Sequence, residues 1–197
     1  MSDQRDGALL IGISGSFASG KDVIAELLAK RAGYTHVSSS DMVRAAAKTA
    51  GLESDRTMLR PFANKIRDKN GADYFTKIAF EQANSAATTD KKRIVVSGLR
   101  AKAEADFIKN KGGVIIFVDA PLELRFDRAQ SRKRDLESYS KDIFERNEKK
   151  ESQVTSGKNE QNIYSIKENA DIQIVNDGTI DDLWRKLKSL LPNNYLS

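Results

Sequence analysis

A glycine-rich loop that ends in a lysine is the part of the sequence best suited to chemistry. Residues 15–21 read Gly-Ser-Phe-Ala-Ser-Gly-Lys. The glycines allow backbone N–H groups to turn inward around an anion, and a helix that begins at the lysine would add its partial positive charge. The lysine would then reach the β- and γ-phosphates of a nucleotide. The pattern therefore predicts a nucleotide phosphate site formed by Gly15, Ser16, Phe17, Ala18, Ser19, Gly20 and Lys21.

The segments before and after this loop are predicted to form a strand and a helix, which would position the loop. Residues 8–13 form a short apolar run, which is typical of a strand buried on both faces of a parallel sheet. After the loop, Val23 and Leu27 are four residues apart, as are Ile24 and Leu28, which indicates a helix. A strand, a loop and a helix in this order are the context that a phosphate-binding loop requires.

Two other residues carry reactive side chains without a complete motif. After the loop lysine the motif expects Ser or Thr, whose hydroxyl binds magnesium, but the sequence has Asp22. His36 is the only histidine of the chain, and no partner motif surrounds it. We therefore interpret His36 as a strand residue near the surface that has no catalytic role.

Four more segments are predicted strands, and helical periodicity separates them. The segments are residues 34–38, 94–96, 114–118 and 172–175. Five strands separated by helices predict an α/β fold: a doubly wound five-stranded parallel sheet with helices on both faces. Ligands of such sheets lie beyond the carboxyl ends of the strands. The residues at those ends are Ser14, Ser38, Ser97, Asp119 and Asn176.

Two segments between the strands differ in composition. Residues from about 40 to 90 are predicted to be helical, with a break at 70–71. Basic residues in this region fit either a solvated helix face or a phosphate site; they are Arg56, Arg60, Lys65, Arg67 and Lys69. Residues 131–157 are mostly charged or polar, so we expect them to bury little and to form a mobile, lid-like segment.

Length, charge and composition exclude several classes of protein. At 197 residues, the chain is predicted to be a single domain over 1–197. The absence of cysteine excludes disulfide and thiolate chemistry and favours a reducing compartment. The polar N-terminus and the lack of a long apolar run predict a cytoplasmic protein with no membrane partner. The net charge of +5 favours anionic ligands, but no nucleic-acid motif is present, so we expect no nucleic-acid partner.

These motifs resemble the P-loop kinases of the nucleoside monophosphate kinase and dephospho-CoA kinase group, and the similarity extends over most of the chain. Residues 38–46 resemble the adenylate kinase segment whose arginine holds the acceptor phosphate. The resemblance implies that Asp41 and Arg44 bind the acceptor. Residues 97–100, Ser-Gly-Leu-Arg, stand where those kinases have Asp-Gly-Phe-Pro-Arg, which implies the same role for Arg100.

Later segments extend the resemblance to the ATP side of the site. Residues 119–134 are similar to the helix that enters the lid of these kinases, which implies that Arg128 and Arg132 act on the transferred phosphoryl group. An Asn-Asp-Gly turn follows the fifth predicted strand. In the related folds this turn lies near the adenine of ATP, which implies that Asn176 and Gly178 contact the nucleotide.

The resemblance also raises a question about the metal ion. These kinases usually place a hydroxyl after the loop lysine and a carboxylate at the end of the third strand, whereas this chain has Asp22 and Ser97. Because Mg2+ takes hard oxygen ligands and keeps several waters, either arrangement supplies one anionic and one neutral oxygen. We predict that Asp22 and Ser97 hold the Mg2+ of ATP. A decayed metal site, or an Asp22 that only caps its helix, stays open.

The function implied by the resemblance is that of an ATP-dependent phosphotransferase, a small-molecule kinase that acts on a nucleoside or deoxynucleoside monophosphate. Dephospho-CoA kinase is an alternative, because the C-terminal third looks closer to those enzymes. A non-catalytic nucleotide-binding regulatory module is another, since Asp22 and Ser97 both depart from the kinase pattern. The identity of the nucleotide-like acceptor and the oligomeric state stay open.

Overall fold

Five parallel strands form one sheet in the computed structural model, which describes residues 8–52, 56–87, 92–131, 140–152 and 162–196. The strands are β1 Leu9–Gly15, β2 Thr35–Ser38, β3 Arg93–Leu99, β4 Val114–Asp119 and β5 Ile172–Val175. Their order is β2-β3-β1-β4-β5, and each neighbouring pair is parallel. The five-stranded parallel sheet predicted from the sequence is confirmed.

Helices cover both faces of this sheet. They are α1 Lys21–Ala32, α2 Ser39–Thr49, α3 Arg56–Asn70, α4 Tyr74–Ala86, α5 Lys102–Asn110, α6 Leu122–Ser131, α7 Lys141–Ser152, α8 Ile163–Glu168 and α9 Ile180–Leu190. One hydrophobic cluster packs α1 and α9 against the sheet, and a second packs α4, α5 and α8 against the opposite face. In the described ranges, no helix combines the length and the apolar character that a membrane span requires.

The central position of β1 places the predicted phosphate loop. β1 bonds to β3 along one edge and to β4 along the other, and Ile11 and Ile13 are fully buried. This burial explains the continuous apolar run in the sequence, because both faces of the strand are covered. All strands are parallel, so the loop after β1 lies between the carboxyl ends of β3 and β4.

The helical region between β2 and β3 consists of α2, α3 and α4. These helices share a third, smaller hydrophobic cluster, which contains Val43, Ala63 and Phe75. The predicted break between α3 and α4 is present, and Gly71 adopts a φ of 105° there, in the left-handed region that favours glycine. This cluster gives α2–α4 a core of their own beside the sheet.

The predicted lid-like segment is described only in part. Residues 132–139 and 153–157 lie outside the described residues, while residues 141–152 form α7. The sequence led us to expect little burial here, but Phe144 is 3% exposed. α8 follows, and the side chain of Asn162 caps it by accepting hydrogen bonds from the amides of Tyr164 and Ser165.

Candidate nucleotide and acceptor site

The loop between β1 and α1 leaves the N-terminus of α1 open. Ala18 and Gly20 have φ values of 58° and 90°, both in the left-handed region. A side chain at position 20 would collide with the amide group of Asn176, so both backbone conformation and space require glycine there. Gly20 caps α1 without a side-chain hydrogen bond. The first-turn N–H groups of α1 are therefore not taken by a capping side chain and suit an anion.

The two serines of the loop differ in their hydrogen bonds. Ser16 Oγ donates to Asp119 Oδ1 at 2.8 Å. Ser19 Oγ is buried and has no hydrogen-bond partner among the residues that the structure describes. A buried hydroxyl without a partner costs about 1–3 kcal/mol, and a phosphate oxygen would accept its hydrogen bond. The loop therefore fits the phosphates of a nucleotide.

Asp119, at the end of β4, anchors this loop, a role that the sequence gave no motif to identify. Besides Ser16, its carboxylate accepts hydrogen bonds from Lys167 Nζ at 2.8 Å and from the amide of Ala120 at 2.9 Å. Burial by itself would raise the pKa of Asp119, but the bonds from Lys167, Ser16 and Ala120 lower it overall. The carboxylate therefore stays ionised and holds one side of the loop.

Asn176 anchors the other side of the loop. Its Nδ2 donates to the carbonyl oxygen of Ser19 at 2.8 Å, and its backbone carbonyl oxygen accepts from Arg128 Nη1 at 3.2 Å. Asn176 and Arg128 are both site residues that the sequence predicted; Asn176 bonds the loop directly, whereas Arg128 bonds Asn176. Gly178 instead lines a shallow depression with Asp182 and Lys186. Arg132 lies outside the described residues.

Lys21 and Arg100 line the same cleft, beside Gly15 and Phe17 of the loop. Lys21 begins α1, while Arg100 directly follows β3. Because β1 and β3 are neighbouring parallel strands, residues after their carboxyl ends meet at one edge of the sheet. The structure thus brings the loop lysine and one predicted acceptor arginine together.

Arg44, the other predicted acceptor arginine, has a different setting. Its Nη1 lies 2.7 Å from Asp41 Oδ1, one helical turn earlier, and its side chain is 51% exposed. Both residues lie on α2, whose N-terminus is capped by Ser38. Exposed ion pairs of this spacing contribute little to stability. Arg44 therefore already has a carboxylate partner in this conformation.

Of the two predicted metal ligands, Ser97 contacts His36, and Asp22 lies near enough for its charge to act on the pKa of that histidine. Ser97 is fully buried, and its Oγ lies 2.9 Å from His36 Nε2. Burial is the main cause that lowers the pKa of His36, while the charges of Asp22, Asp41 and Glu26 act in the opposite direction. His36 is thus a half-buried partner of Ser97, which differs from the near-surface residue that the sequence suggested.

An aromatic cluster joins the loop to α7. The ring of Phe144 lies 5.8 Å from that of Phe17 and 5.6 Å from that of Phe126, between ring centroids. The guanidinium of Arg125 lies 5.9 Å from the Phe144 ring centre. The predicted lid-like segment therefore contacts the phosphate loop directly through one buried ring.

Comparison with known proteins agrees with this architecture. A family model described as an AAA domain matches residues 11–144. A UPF0200/UPF0201 protein of Archaeoglobus fulgidus is 31% identical over 92% of this chain. The match covers 54% of that protein, so the chain spans about half of its length.

Solved structures show the same fold. A structure of TT1252 from Thermus thermophilus superposes with a TM-score of 0.63 and 20% identity, over 93% of this chain and 96% of that one. Shikimate kinase from Aquifex aeolicus gives a TM-score of 0.54 and 21% identity, over 95% of this chain and 99% of that one. The fold is that of P-loop kinases, which confirms the resemblance predicted from the motifs.

Proposed function

The chain belongs to the AAA domain family, and on this basis we propose that it is an ATP-dependent phosphotransferase that acts on a small molecule. The proposal depends on the cleft that Lys21 and Arg100 share beside the phosphate loop. A lysine at the start of α1 suits the β- and γ-phosphates of ATP. An arginine in the same cleft suits an anionic acceptor, because its guanidinium can bond two oxygens at once.

The reaction requires mainly alignment and charge neutralisation from the protein. An oxygen of the acceptor forms a bond to the γ-phosphorus of ATP, while the bond to the bridging oxygen breaks and ADP leaves. Lys21 neutralises charge on the phosphate oxygens, and the open N-terminus of α1 supplies N–H donors. Arg100 holds the acceptor in line with the phosphorus.

The metal ligands that we propose are Asp22 and Ser97, whose oxygens are of the hard type that Mg2+ prefers. Bound to ATP, Mg2+ would neutralise part of the phosphate charge. Among the described residues, no group of three or more acidic or histidine side chains forms a protein cage for a metal. A Mg2+ held by one or two protein oxygens, phosphates and waters needs no such cage. His36 orients the Ser97 hydroxyl through their 2.9 Å contact.

The acceptor that we propose is a nucleoside or deoxynucleoside monophosphate, with dephospho-CoA as the alternative within the same reaction class. A non-catalytic nucleotide-binding module is the competing function. Asp22 favours that alternative, because it stands where the loop motif has a magnesium-binding hydroxyl. The kinase and the module both bind ATP, but only the kinase transfers phosphate.

The test is an acceptor panel with the full chain, ATP and Mg2+, in which each nucleoside monophosphate and dephospho-CoA is supplied in turn. We expect turnover with one acceptor class, and a loss of about 100-fold or more in Lys21→Met. Lys30→Met is the matched control, because Lys30 lies on the same helix and is 74% exposed. ATP binding without turnover on any acceptor would select the module, and a Lys21→Met protein of native activity would remove the loop from the mechanism.

A further inference from the structure

Lys167 lies on α8, and its ammonium group bonds the residue that anchors the phosphate loop. Nζ donates to Asp119 Oδ2 at 2.8 Å, although the two residues are 48 positions apart in the sequence. The side chain of Lys167 is 34% exposed. A partly solvated lysine has many conformations available, so one defined contact requires neighbours that restrict the side chain.

The surroundings of α8 provide that restriction. Ile163 and Ile166 are buried in the hydrophobic cluster that packs this helix against the sheet. The carbonyl oxygen of Lys167 accepts a hydrogen bond from Gln173 Nε2 at 2.9 Å. The ammonium group lies 5.5 Å from the ring centre of Phe117, a buried residue of β4, and the ring attracts the cation. These contacts hold the ammonium group near the carboxyl end of β4.

The carboxylate of Asp119 uses one oxygen for α8 and the other for the loop. Oδ2 accepts from Lys167, while Oδ1 accepts from Ser16 Oγ at 2.8 Å and from the amide of Ala120 at 2.9 Å. Hydrogen bonds to a charged group are short and directional. The bond to Oδ2 therefore fixes the rotation of the carboxylate and keeps Oδ1 turned toward Ser16.

Two cations face this carboxylate. Lys167 of α8 bonds it directly, whereas Nε of Arg125 on α6 lies 3.9 Å from Oδ1 and donates to the carbonyl oxygen of Ala120 at 2.8 Å. Burial raises the pKa of Asp119, and the hydrogen bond from Lys167 is the largest of the causes that lower it overall. Lys167 therefore helps to keep the carboxylate ionised, and an ionised carboxylate accepts the Ser16 hydroxyl with both lone pairs of Oδ1 available.

Ser16 connects this carboxylate to the backbone of the loop. Its amide donates to the carbonyl oxygen of Val118 at 3.2 Å, and its carbonyl oxygen accepts from the amide of Ser19 at 3.2 Å. The hydroxyl bond to Asp119 holds the same residue through a third atom. A loop whose N–H groups must converge on phosphate oxygens gains affinity when it is held in that conformation before the nucleotide binds.

We propose that Lys167 is a positioning residue for the phosphate loop, which acts through Asp119 and Ser16 and raises the affinity of the loop for a nucleotide. The inference rests on the nucleotide site of the proposed function and does not depend on the transfer of phosphate. It places a determinant of nucleotide affinity on α8, outside the loop and the helix that carry the sequence motif.

Lys109 provides a matched control for an ion pair that is only structural. Its Nζ bonds Asp171 Oδ1 at 3.0 Å and the carbonyl oxygen of Asn169 at 2.6 Å. Asp171 Oδ2 in turn accepts from the amide of Ile115, near the start of β4. The side chain of Lys109 is 36% exposed, which is close to the value for Lys167. Lys109 therefore anchors an aspartate at the opposite end of the same strand, away from the phosphate loop.

The test is a calorimetric titration of the full chain with a non-hydrolysable ATP analogue and Mg2+. We expect the affinity to fall about tenfold in Lys167→Met and to stay within about twofold of the wild type in Lys109→Met. In an Asp119→Ala background, Lys167→Met should change the affinity by less than about twofold, because the carboxylate through which Lys167 acts is gone. Equal losses in the two lysine variants, or a tenfold loss from Lys167→Met in Asp119→Ala, would overturn the inference.

The pH dependence of this affinity is a readout that a structural role would not change. Without Lys167 the pKa of Asp119 should rise, so protonation of the carboxylate should weaken binding at a higher pH in Lys167→Met than in the wild type. The titration of the analogue itself is common to all variants, and Asp119→Ala should lack the additional pH dependence. A pH profile of Lys167→Met that runs parallel to that of the wild type would contradict the role of Asp119 in this route.

Hydrogen exchange in the free protein separates this inference from the proposed function. The amides of Ser16 and Ser19 are hydrogen-bonded, so their exchange should become faster in Lys167→Met and stay unchanged in Lys109→Met. If the wild type bound the analogue but transferred phosphate to no acceptor, the kinase proposal would fail, while weaker binding in Lys167→Met would still support the inference. If the wild type did not bind the analogue, the proposed affinity effect would be overturned together with the nucleotide site, whatever the exchange of these two amides.

Discussion

Asn176 Nδ2 donates a hydrogen bond of 2.8 Å to the carbonyl oxygen of Ser19, and this bond fixes the phosphate loop to the end of β5. The bond is buried and joins residues that are 157 positions apart in the sequence. The backbone amide of Asn176 also donates to the carbonyl of Asp119 at 2.8 Å. One residue therefore couples the loop to the last two strands of the sheet.

We expect Asn176→Ala to weaken both the fold and nucleotide binding. The change leaves the buried Ser19 carbonyl without its donor, which should lower the free energy of unfolding by about 1–3 kcal/mol. Denaturant unfolding and titration with an ATP analogue measure the two effects. Asn169→Ala is the control, because its side-chain amide also bonds a carbonyl but is exposed. Equal effects of the two substitutions would contradict the anchoring role of Asn176.

The metal prediction concerns Asp22. If its carboxylate holds Mg2+ with Ser97, Asp22→Ala should abolish magnesium-dependent turnover, and Asp22→Ser combined with Ser97→Asp should restore much of it. Glu26→Ala removes a carboxylate from the next turn of the same helix and should leave activity nearly unchanged. Initial rates against Mg2+ concentration provide the measurement. If the double variant turned over no faster than Asp22→Ser alone, that result would count against the exchange of ligand types between positions 22 and 97.

Stability should fall as the pH is lowered through the titration of His36. The folded-state pKa of His36 is lowered by burial, so below the unfolded pKa of about 6.5 the unfolded chain binds more protons. The stabilisation is therefore present above that pH and is lost toward the lower folded-state pKa, at no more than about 1.4 kcal/mol per pH unit. Because His36 is the only histidine, His36→Gln should flatten this dependence as the pH falls below the unfolded pKa of about 6.5. An unchanged slope in the variant would assign the effect to other groups.

The aromatic contact of α7 predicts a local effect on dynamics. Phe144→Ala removes a ring that is 3% exposed, so the free energy of unfolding should fall by about 3–5 kcal/mol and amide exchange in α7 should become faster. Ile143→Ala is the control on the same helix, because Ile143 is 42% exposed. We also predict that exchange in α7 slows further when both substrates bind. If the amides of α7 were already fully protected from exchange in the free protein, α7 would be a fixed insert and not a segment that closes on the substrates.

Local sequence patterns were sufficient to predict the strands of the sheet and the position of the phosphate loop. The apolar run of β1 and the glycines of residues 15–20 carry their own structural signal, because burial on both faces and left-handed turns restrict residue type. Arg100 could also be placed, since it directly follows a strand whose carboxyl end borders the loop.

Contacts between distant segments could not be predicted in the same way. Arg67 has the same residue type as Arg60, which is exposed on the same helix, and the burial of Arg67 against the ring of Phe75 depends on how α3 packs on α4. Phe144 lies in a segment of polar composition, and that composition gives no indication that its ring is buried. The bond of His36 to Ser97 joins two neighbouring strands, and no spacing in the sequence encodes it.

The central position of β1 also affects the order of events during synthesis of the chain. Leu9 of β1 pairs with Arg93 of β3, and Ile11 pairs with Val114 of β4. A ribosome must therefore add roughly a hundred residues after β1 before both of its edges can bond, and long-range parallel pairing of this kind forms slowly. Until then, the apolar strand beside the phosphate loop keeps at least one unpaired edge, and unpaired strand edges of this kind favour association between newly made chains.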